Sequence, residues 1–305
     1  MPSEETKSLF TAMGCPCEIR LFSADKNLSL EVLRKCKEEA IRFEKKYSRY
    51  RPNSVIGKIN RAAGQSAVAI DPETNAILKY SGVCYEESGG LFDITSGVLR
   101  RIWHMDTVTL PRQSEIDNCL KTIGWEKVRL EPDNVFLPEA GMELDLGGVV
   151  KEYASDSISE QARQAGIESG YVNLGGDIAI IGPQANKEPW RVGVSDPNGK
   201  GDPIATIEIK GGAITTSGGY ERYCNIKGKR YSHMINPKTG WPVDSLVSVS
   251  VAAPKAVVAG SLTSIALLKG IEAGIDFLEK CGVAFFAVDQ SGTCHGHLQE
   301  VTHDQ

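Results

Sequence analysis

The chain has 305 residues, of which 41% are hydrophobic and 24% charged, and its formal net charge is −5. This length and composition allow a folded chain to bury a full core. Because both signs of charge are interspersed and the balance is acidic, a nucleic-acid partner is not expected. No run approaches about 18 consecutive apolar residues, so we expect no membrane-spanning helix.

The eight cysteines are scattered, at positions 15, 17, 36, 84, 119, 224, 281 and 294. Only Cys15 and Cys17 are close together, and no second pair completes a zinc motif, so we interpret the cysteines as reduced core residues. The acidic start MPSEETK and the residues before Cys15 match neither a secretory leader nor a lipoprotein cleavage box. We therefore predict a cytoplasmic protein, or a periplasmic one if a leader has been removed.

The first half of the chain predicts one strand followed by helices. Residues 17–22 alternate between apolar and polar side chains, which is typical of an edge strand. Apolar residues recur at helical spacing over 28–50. Asp71 before a proline, with Gly89 and a second glycine at the far end, predicts a helix over 71–90. Shorter helical segments are predicted at 55–64 and 114–124.

The second half predicts one helix among many strands. Residues 127–148 alternate like strands around a Pro-Asp-Asn turn, which indicates a hairpin, and 149–166 form an amphipathic helix. Further strands are predicted at 171–182, 190–197, 205–218, 222–237 and 245–253, helices at 256–270 and 270–282, and a hairpin at 283–298. We predict a single α+β domain over 1–305, compact, with mostly antiparallel sheets, flanking helices and two lobes around a cleft.

Polar residues at the ends of these elements are the candidates for chemistry. Asp145 and Asp177 each lie beside a Gly-Gly pair, as metal ligands, general bases or caps. Lys151 falls in the first turn of a helix, where the helix dipole disfavours a cation. It therefore either meets a specific anion or is a surface lysine. His233 follows a strand and precedes a Pro/Gly turn, which exposes a reactive group, although a lone histidine is usually structural.

Five motifs resemble, in order, those of the ApbE family of FAD:protein FMN transferases. They are FTAMGCPCEI (10–19), EKKYSRYRPNSVIGKIN (44–60), SGGLFDIT (88–95) with Trp103, LDLGGVVKEYASD (144–156) and RYSHMINPKTGWP (230–242). The resemblance covers nearly the whole chain and implies that the cleft between the lobes binds FAD. It also implies that the first motif is the family's opening strand, rather than a lipoprotein box or a redox pair.

The family cleaves the pyrophosphate of FAD with a divalent metal ion and joins FMN through a phosphoester to a threonine or serine of a partner protein. The resemblance therefore implies FAD as substrate, Mg²⁺, and an acceptor flavoprotein with a flavinylation motif. His233 matches the family histidine that deprotonates the acceptor hydroxyl, a role that suits a near-neutral imidazole. The residues that match FAD-lining positions are Met13, Tyr50, Leu91, Phe92, Asp93, Lys151 and Met234.

One departure from the family concerns the metal site. The family usually has an aspartate and a threonine four residues apart, and here these positions hold Gly260 and Ser264. Ala154 matches the residue that offers a backbone carbonyl, so the implied ligands lack an anion, which Mg²⁺ prefers. Glu152 replaces a family glycine and is a candidate replacement charge, although we expect a surface position for it.

This departure keeps two alternatives open. The first is an FAD-binding relative that has lost transfer, and that acts as a flavin carrier or as a slow pyrophosphatase releasing FMN and AMP. The second is a structural or interaction module that binds no flavin. Flavin binding separates the second alternative from the other readings.

Overall fold

The computed structural model describes residues 4–297 apart from positions 105, 107, 198, 200 and 221. The helices are α1 (Lys26–Tyr47), α2 (Val55–Arg61), α3 (Pro72–Glu87), α4 (Gln113–Lys121), α5 (Val150–Gln164), α6 (Ala256–Lys269) and α7 (Ile271–Cys281). The strands are β1 (Glu4–Ala12), β2 (Cys15–Ser23), β3 (Val68–Ala69), β4 (Arg129–Leu130), β5 (Asn134–Phe136), β6 (Ser169–Leu174), β7 (Asp177–Gly182), β8 (Trp190–Val194), β9 (Ala205–Ile209), β10 (Ala213–Gly218), β11 (Tyr223–Ile226), β12 (Lys229–Ser232), β13 (Leu246–Ala253), β14 (Ala284–Asp289) and β15 (Cys294–His297).

An eight-stranded sheet forms the centre of the fold, in the order β1-β2-β6-β7-β10-β13-β14-β15. Every neighbouring pair in it is antiparallel. Three small sheets, β3-β5-β4, β8-β9 and β11-β12, complete the strands of the described residues. The predicted α+β class with mostly antiparallel sheets is confirmed. Within the described part of the chain, no helix is long and apolar enough to span a bilayer.

The alternation at 17–22 is correct, but its interpretation as an edge strand is wrong. Cys17, Ile19 and Leu21 are buried as the pattern requires. However, β2 is paired on both sides, with β1 outside it and β6 inside it. The Sγ atoms of Cys15 and Cys17 lie 4.0 Å apart, about twice the length of a disulfide bond. All eight cysteines are free, and five of them are buried.

The long predicted helices are confirmed to within a few residues, whereas four predicted strand regions differ. Residues 171–182, 205–218 and 222–237 each form two strands rather than one. Within 205–218 the chain turns through Gly212, which has φ = 77°. Residues 127–148 contain only the short strands β4 and β5. The final hairpin is observed as β14 and β15, and residue 298 lies outside the described residues.

Helices α1, α5, α6 and α7 contact one another in that order, and α1, α5 and α6 pack on the main sheet. Asp156 on α5 fixes the start of α6, because its two carboxylate oxygens accept the amides of Ala256 (2.8 Å) and Val257 (2.9 Å). A carboxylate at a helix N-terminus satisfies free amides and favours the helix dipole. Glu152 lies one turn before Asp156, so it is on the same face of α5, towards α6.

Candidate functional site

A cleft of about 1480 Å³ opens beside the first turn of α5. It is larger than the roughly 300–1,000 Å³ of ordinary small-molecule pockets. Its walls come from the β1–β2 turn, the segment after α1, the loop after α3, the start of α5 and the chain around β11 and β12. The predicted residues that line it are Met13, Tyr50, Leu91, Phe92, Asp93, Lys151, His233, Met234 and Ser264.

Met13 reaches the cleft from a strained turn. Met13 and Gly14 connect β1 to β2 with φ values of 52° and 72°. A two-residue turn with positive φ at both positions suits the twist of a hairpin, but it strains a side chain such as that of methionine. The Met13 amide donates to Glu44 Oε2 at 3.0 Å, and Arg51 donates to the other oxygen of Glu44 at 2.6 Å. This carboxylate therefore holds Met13 in its unusual conformation.

Tyr50 presents an open aromatic face at the edge of the cleft. Its side chain is 81% exposed, and the guanidinium of Arg49 lies 5.6 Å from its ring centre. Arg49 is fixed in turn by Glu143 (2.5 Å) and Asp145 (3.0 Å). Asp145 also accepts the amide of Gly147 at 2.9 Å, so its carboxylate acts as an ion-pair partner and a cap.

Asp93 organises the loop that carries Leu91 and Phe92. Its Oδ1 accepts from the amide and the hydroxyl of Thr95, at 2.7 and 2.6 Å, and its Oδ2 accepts from the amide of Trp125 at 3.2 Å. Burial raises the pKa of Asp93. The protein already occupies both oxygens of this carboxylate, so its predicted contact with FAD requires one of them to accept a further bond.

Lys151 meets a specific anion, which is Asp177. Its Nζ lies 2.6 Å from Asp177 Oδ2, and the Asp177 side chain is only 2% exposed. Although burial opposes it, the Asp177 carboxylate holds the pKa of Lys151 above its usual range. Of the two interpretations of Lys151, the surface lysine is wrong. A charged ammonium, 25% exposed, lines the cleft.

Glu152 is buried, and the expectation of a surface position for it is wrong. It is 6% exposed, and burial, followed by the charge of Asp177, raises its pKa to about 8. Its Oε2 has no hydrogen-bond partner among the described residues. A Cβ added to Gly260 would lie 2.5 Å from Glu152 Cγ, so the glycine provides the space that the glutamate fills.

The residues implied as metal ligands are only partly brought together. Ser264 lies one turn after Gly260 on α6 and lines the cleft. Ala154 does not line it: it is fully buried inside α5, where its carbonyl belongs to the helical hydrogen-bond ladder. Gly147 and Gly148 line the cleft at the start of this helix instead. Among the described residues, no three His, Cys, Asp or Glu side chains form a metal-binding group.

His233 follows β12 with one ring nitrogen held by the backbone. Its amide and its Nδ1 approach the Arg222 carbonyl at 3.0 and 3.1 Å. Because a carbonyl only accepts, Nδ1 carries the proton and Nε2 keeps a lone pair. Burial, and after it the positive charge of Arg100, lower the pKa of His233 to about 4. The imidazole is therefore neutral at physiological pH.

Two arginines of the cleft that act on His233 were not found from the sequence. Arg100 and Arg222 both line it, and both act with Lys151 to disfavour a proton on His233. Arg222 Nη2 also donates to the carbonyl of Gly14 at 3.2 Å, which joins two walls of the cleft. Arg100 lies seven residues after Asp93, and only the fold brings it to His233. The part of the cleft around His233 thus combines a neutral imidazole with the positive charges of Arg100, Arg222 and Lys151, a setting suited to phosphate groups.

A model of the ApbE family matches residues 13–287 of the chain. The chain belongs to the ApbE family. It is 30% identical over 283 residues to the FAD:protein FMN transferase of Treponema pallidum (strain Nichols), covering 85% of this chain and 77% of that protein. It is 29% identical over 268 residues to the FAD:protein FMN transferase of Klebsiella pneumoniae (strain 342), covering 86% of this chain and 82% of that protein.

Solved ApbE structures have the same fold. The crystal structure of the ApbE protein of Thermotoga maritima superposes with a TM-score of 0.90 at 30% identity, covering 96% of this chain and 97% of that chain. Flavin transferase ApbE from Vibrio cholerae superposes with a TM-score of 0.85 over 97% of this chain and 98% of that chain. Its 24% identity supports the fold alone. The ApbE resemblance found in the five motifs is confirmed.

Proposed function

We propose that this protein transfers FMN from FAD to a threonine or serine hydroxyl of a partner flavoprotein and releases AMP. Membership of the ApbE family supports this activity. The observation that carries it in this chain is His233, whose unprotonated Nε2 belongs to a neutral imidazole beside three cations. Phosphoryl transfer requires both a base for the attacking hydroxyl and positive charge around the phosphates.

We propose that FAD lies along the cleft, with its pyrophosphate at the cationic end. Arg100 and Arg222 line that end and offset the negative charge of the phosphates, and the ammonium of Lys151, which is paired with Asp177, can donate hydrogen bonds to them. Met13 and the exposed ring of Tyr50 line the other walls, where a thioether and an aromatic face can contact a ring of FAD. The remaining predicted contacts are those of Leu91, Phe92, Asp93 and Met234.

In the transfer step, one bond to phosphorus forms, another bond to it breaks, and one proton is transferred. The acceptor hydroxyl oxygen bonds to the phosphorus of the FMN half, and the bond from this phosphorus to the bridging oxygen breaks as AMP leaves. The hydroxyl proton passes to Nε2 of His233, while Nδ1 remains bonded to the Arg222 carbonyl. The cations of the cleft stabilise the charge that builds on the phosphate oxygens.

A divalent cation, which we take to be Mg²⁺, fits the polar groups near the start of α5. The fit rests on Glu152, whose buried Oε2 is unpartnered among the described residues, and on the Ser264 hydroxyl at the cleft. Carboxylate and hydroxyl oxygens are hard ligands of the type Mg²⁺ binds. When bound, such a cation would neutralise pyrophosphate charge.

We also propose a cytoplasmic location, in keeping with the buried free thiols.

The test is a transfer assay with two product readouts. The protein is incubated with FAD, MgCl₂ and a peptide carrying a flavinylation motif, and the peptide is examined by mass spectrometry while FMN and AMP are separated by chromatography. We expect FMN on the peptide and stoichiometric AMP. His233→Ala should lose transfer by roughly 10²–10⁴-fold while still binding FAD. Free FMN and AMP without labelled peptide would identify a pyrophosphatase instead.

A further inference from the structure

Glu152 and Gly260 face each other across two antiparallel helices. Asp156 on α5 bonds to the amides of Ala256 and Val257, at the start of α6. One turn earlier on α5, Glu152 lies against Gly260, one turn later on α6. The two contacts therefore belong to one helix interface with a fixed register. The next turn of α6 brings Ser264, which lines the cleft together with Glu152.

Only one of the two positions can carry a side chain. A Cβ at Gly260 would lie 2.5 Å from Cγ, 3.1 Å from Cδ and 3.2 Å from Oε1 of Glu152. Contacts of this length with inner atoms of a buried side chain cannot be relieved without moving it. A carboxylate attached at Gly260 would therefore occupy the volume that the Glu152 carboxylate occupies now.

The Glu152 carboxylate lacks a partner of its own. Its Oε2 is buried without a hydrogen bond among the described residues, and the carboxyl group faces the like charge of Asp177, which disfavours its ionised form. Lys151, whose charge acts on Glu152, lies 2.6 Å from Asp177, so the charges of Lys151 and Asp177 largely offset each other. A buried carboxylate oxygen without a partner is unfavourable. Because Glu152 lines the cleft, a ligand in the cleft can supply what the protein does not.

We propose that Glu152 is the anionic ligand of the divalent cation in this protein, and that Gly260 is small in order to admit it. The carboxylate thus comes from α5 rather than from α6. The Ser264 hydroxyl and phosphate oxygens of FAD complete a set of hard oxygen ligands. This inference deepens the proposed function and rests on FAD and a cation sharing the cleft. On this inference the carboxylate ligand has moved from position 260 to position 152, and it has not been lost.

The exchange is tested by binding of Mn²⁺, followed through the electron paramagnetic resonance signal of the free ion, with and without FAD. Glu152→Gln keeps the shape and removes the charge, and we expect it to weaken Mn²⁺ binding at least about tenfold. Gly260→Asp alone should also weaken binding, because the new side chain displaces Glu152. The double variant Glu152→Gly/Gly260→Asp moves the carboxylate to α6 and should recover most of the parent affinity.

The controls separate this inference from the proposed function. Thermal unfolding, and FAD titration by flavin fluorescence without a divalent cation, show whether each variant is folded and binds FAD, and Glu152→Gln should bind FAD at least as tightly as the parent under these conditions. Parent-like Mn²⁺ affinity in Glu152→Gln, or no Mn²⁺ binding by the parent with FAD present, would overturn the inference. Failure of the double variant to exceed both single variants would also overturn it. Loss of peptide labelling with the Mn²⁺ pattern intact would instead overturn the proposed function alone.

Discussion

The titration of His233 is the most direct test of the proposed base. Burial and the charges of Arg100, Arg222 and Lys151 lower its pKa to about 4. Relative to the ordinary value of 6.5, this corresponds to roughly 3 kcal/mol against the protonated form. We expect the His233 ring carbon signals in a ¹³C-labelled sample without FAD to show no protonation until well below pH 6. Subtraction of the His233→Gln spectrum identifies these signals.

Two perturbations should raise this pKa by removing or offsetting its causes. Arg100→Gln removes the charge that, after burial, lowers the pKa of His233 most, so this pKa should rise towards 6.5. FAD should raise it further, because the pyrophosphate brings negative charge to the same cations. A pKa at or above 6.5 in the free protein, or one that falls when FAD binds, would refute the account of the cleft electrostatics.

The same titration has a consequence for stability, with a definite sign. The folded pKa of His233 lies below the unfolded value, so the unfolded chain binds more protons between pH 6.5 and 4. The contribution of neutral His233 is therefore fully present above pH 6.5 and is lost as the pH falls towards 4. In urea unfolding, the free energy of unfolding of the parent should fall relative to that of His233→Gln as the pH is lowered from 6.5 towards 4. Above pH 6.5 the difference between the two free energies should stay constant.

Three further substitutions test the positioning of the site. Tyr50→Ala should weaken FAD binding by about 1–3 kcal/mol through lost stacking, and unchanged affinity in a fluorescence titration would remove Tyr50 from the site. Met13→Gly relieves the steric strain of the positive φ of 52°. Thermal stability should therefore hold or rise while FAD affinity falls, and a loss of thermal stability would show that Met13 is not strained. Asp156→Ala should cost about 2–4 kcal/mol in urea unfolding, because two amides lose their acceptor, whereas the exposed cap variant Asp25→Ala should cost about 1 kcal/mol. Equal costs would show that the bridge to α6 adds nothing.

Local patterns in the sequence predicted most of the elements. The helices at 28–50, 71–90 and 149–166 have apolar spacing and end signals that depend on near neighbours. The edge-strand interpretation failed because pairing depends on another segment: β1 lies outside β2 across the Met13–Gly14 turn. Alternation reports which face of a strand is buried, but not whether both of its edges are paired.

Which charged residues of the site are buried could not be predicted from the sequence. Glu152 was expected at the surface because a glutamate early in an amphipathic helix usually is. Its burial depends on Gly260, 108 positions later, and on the register that Asp156 sets between the two helices. Lys151 was better constrained, because a cation in the first turn of a helix predicts an anion nearby, and Asp177 is that anion.

The charges of the cleft are separated according to what they can bind. Arg100 and Arg222 surround a neutral His233 and leave that region positive, which suits phosphate. At the start of α5, Lys151 is paired with Asp177, and the buried Glu152 carboxyl has no cation of its own, which suits a divalent cation that would stabilise its charged form. A ligand that carries phosphates and chelates a divalent cation satisfies both regions at once, whereas each component alone leaves one of them unsatisfied. FAD and the cation should therefore bind more tightly together than separately, and by linkage each should raise the affinity of the other by the same factor.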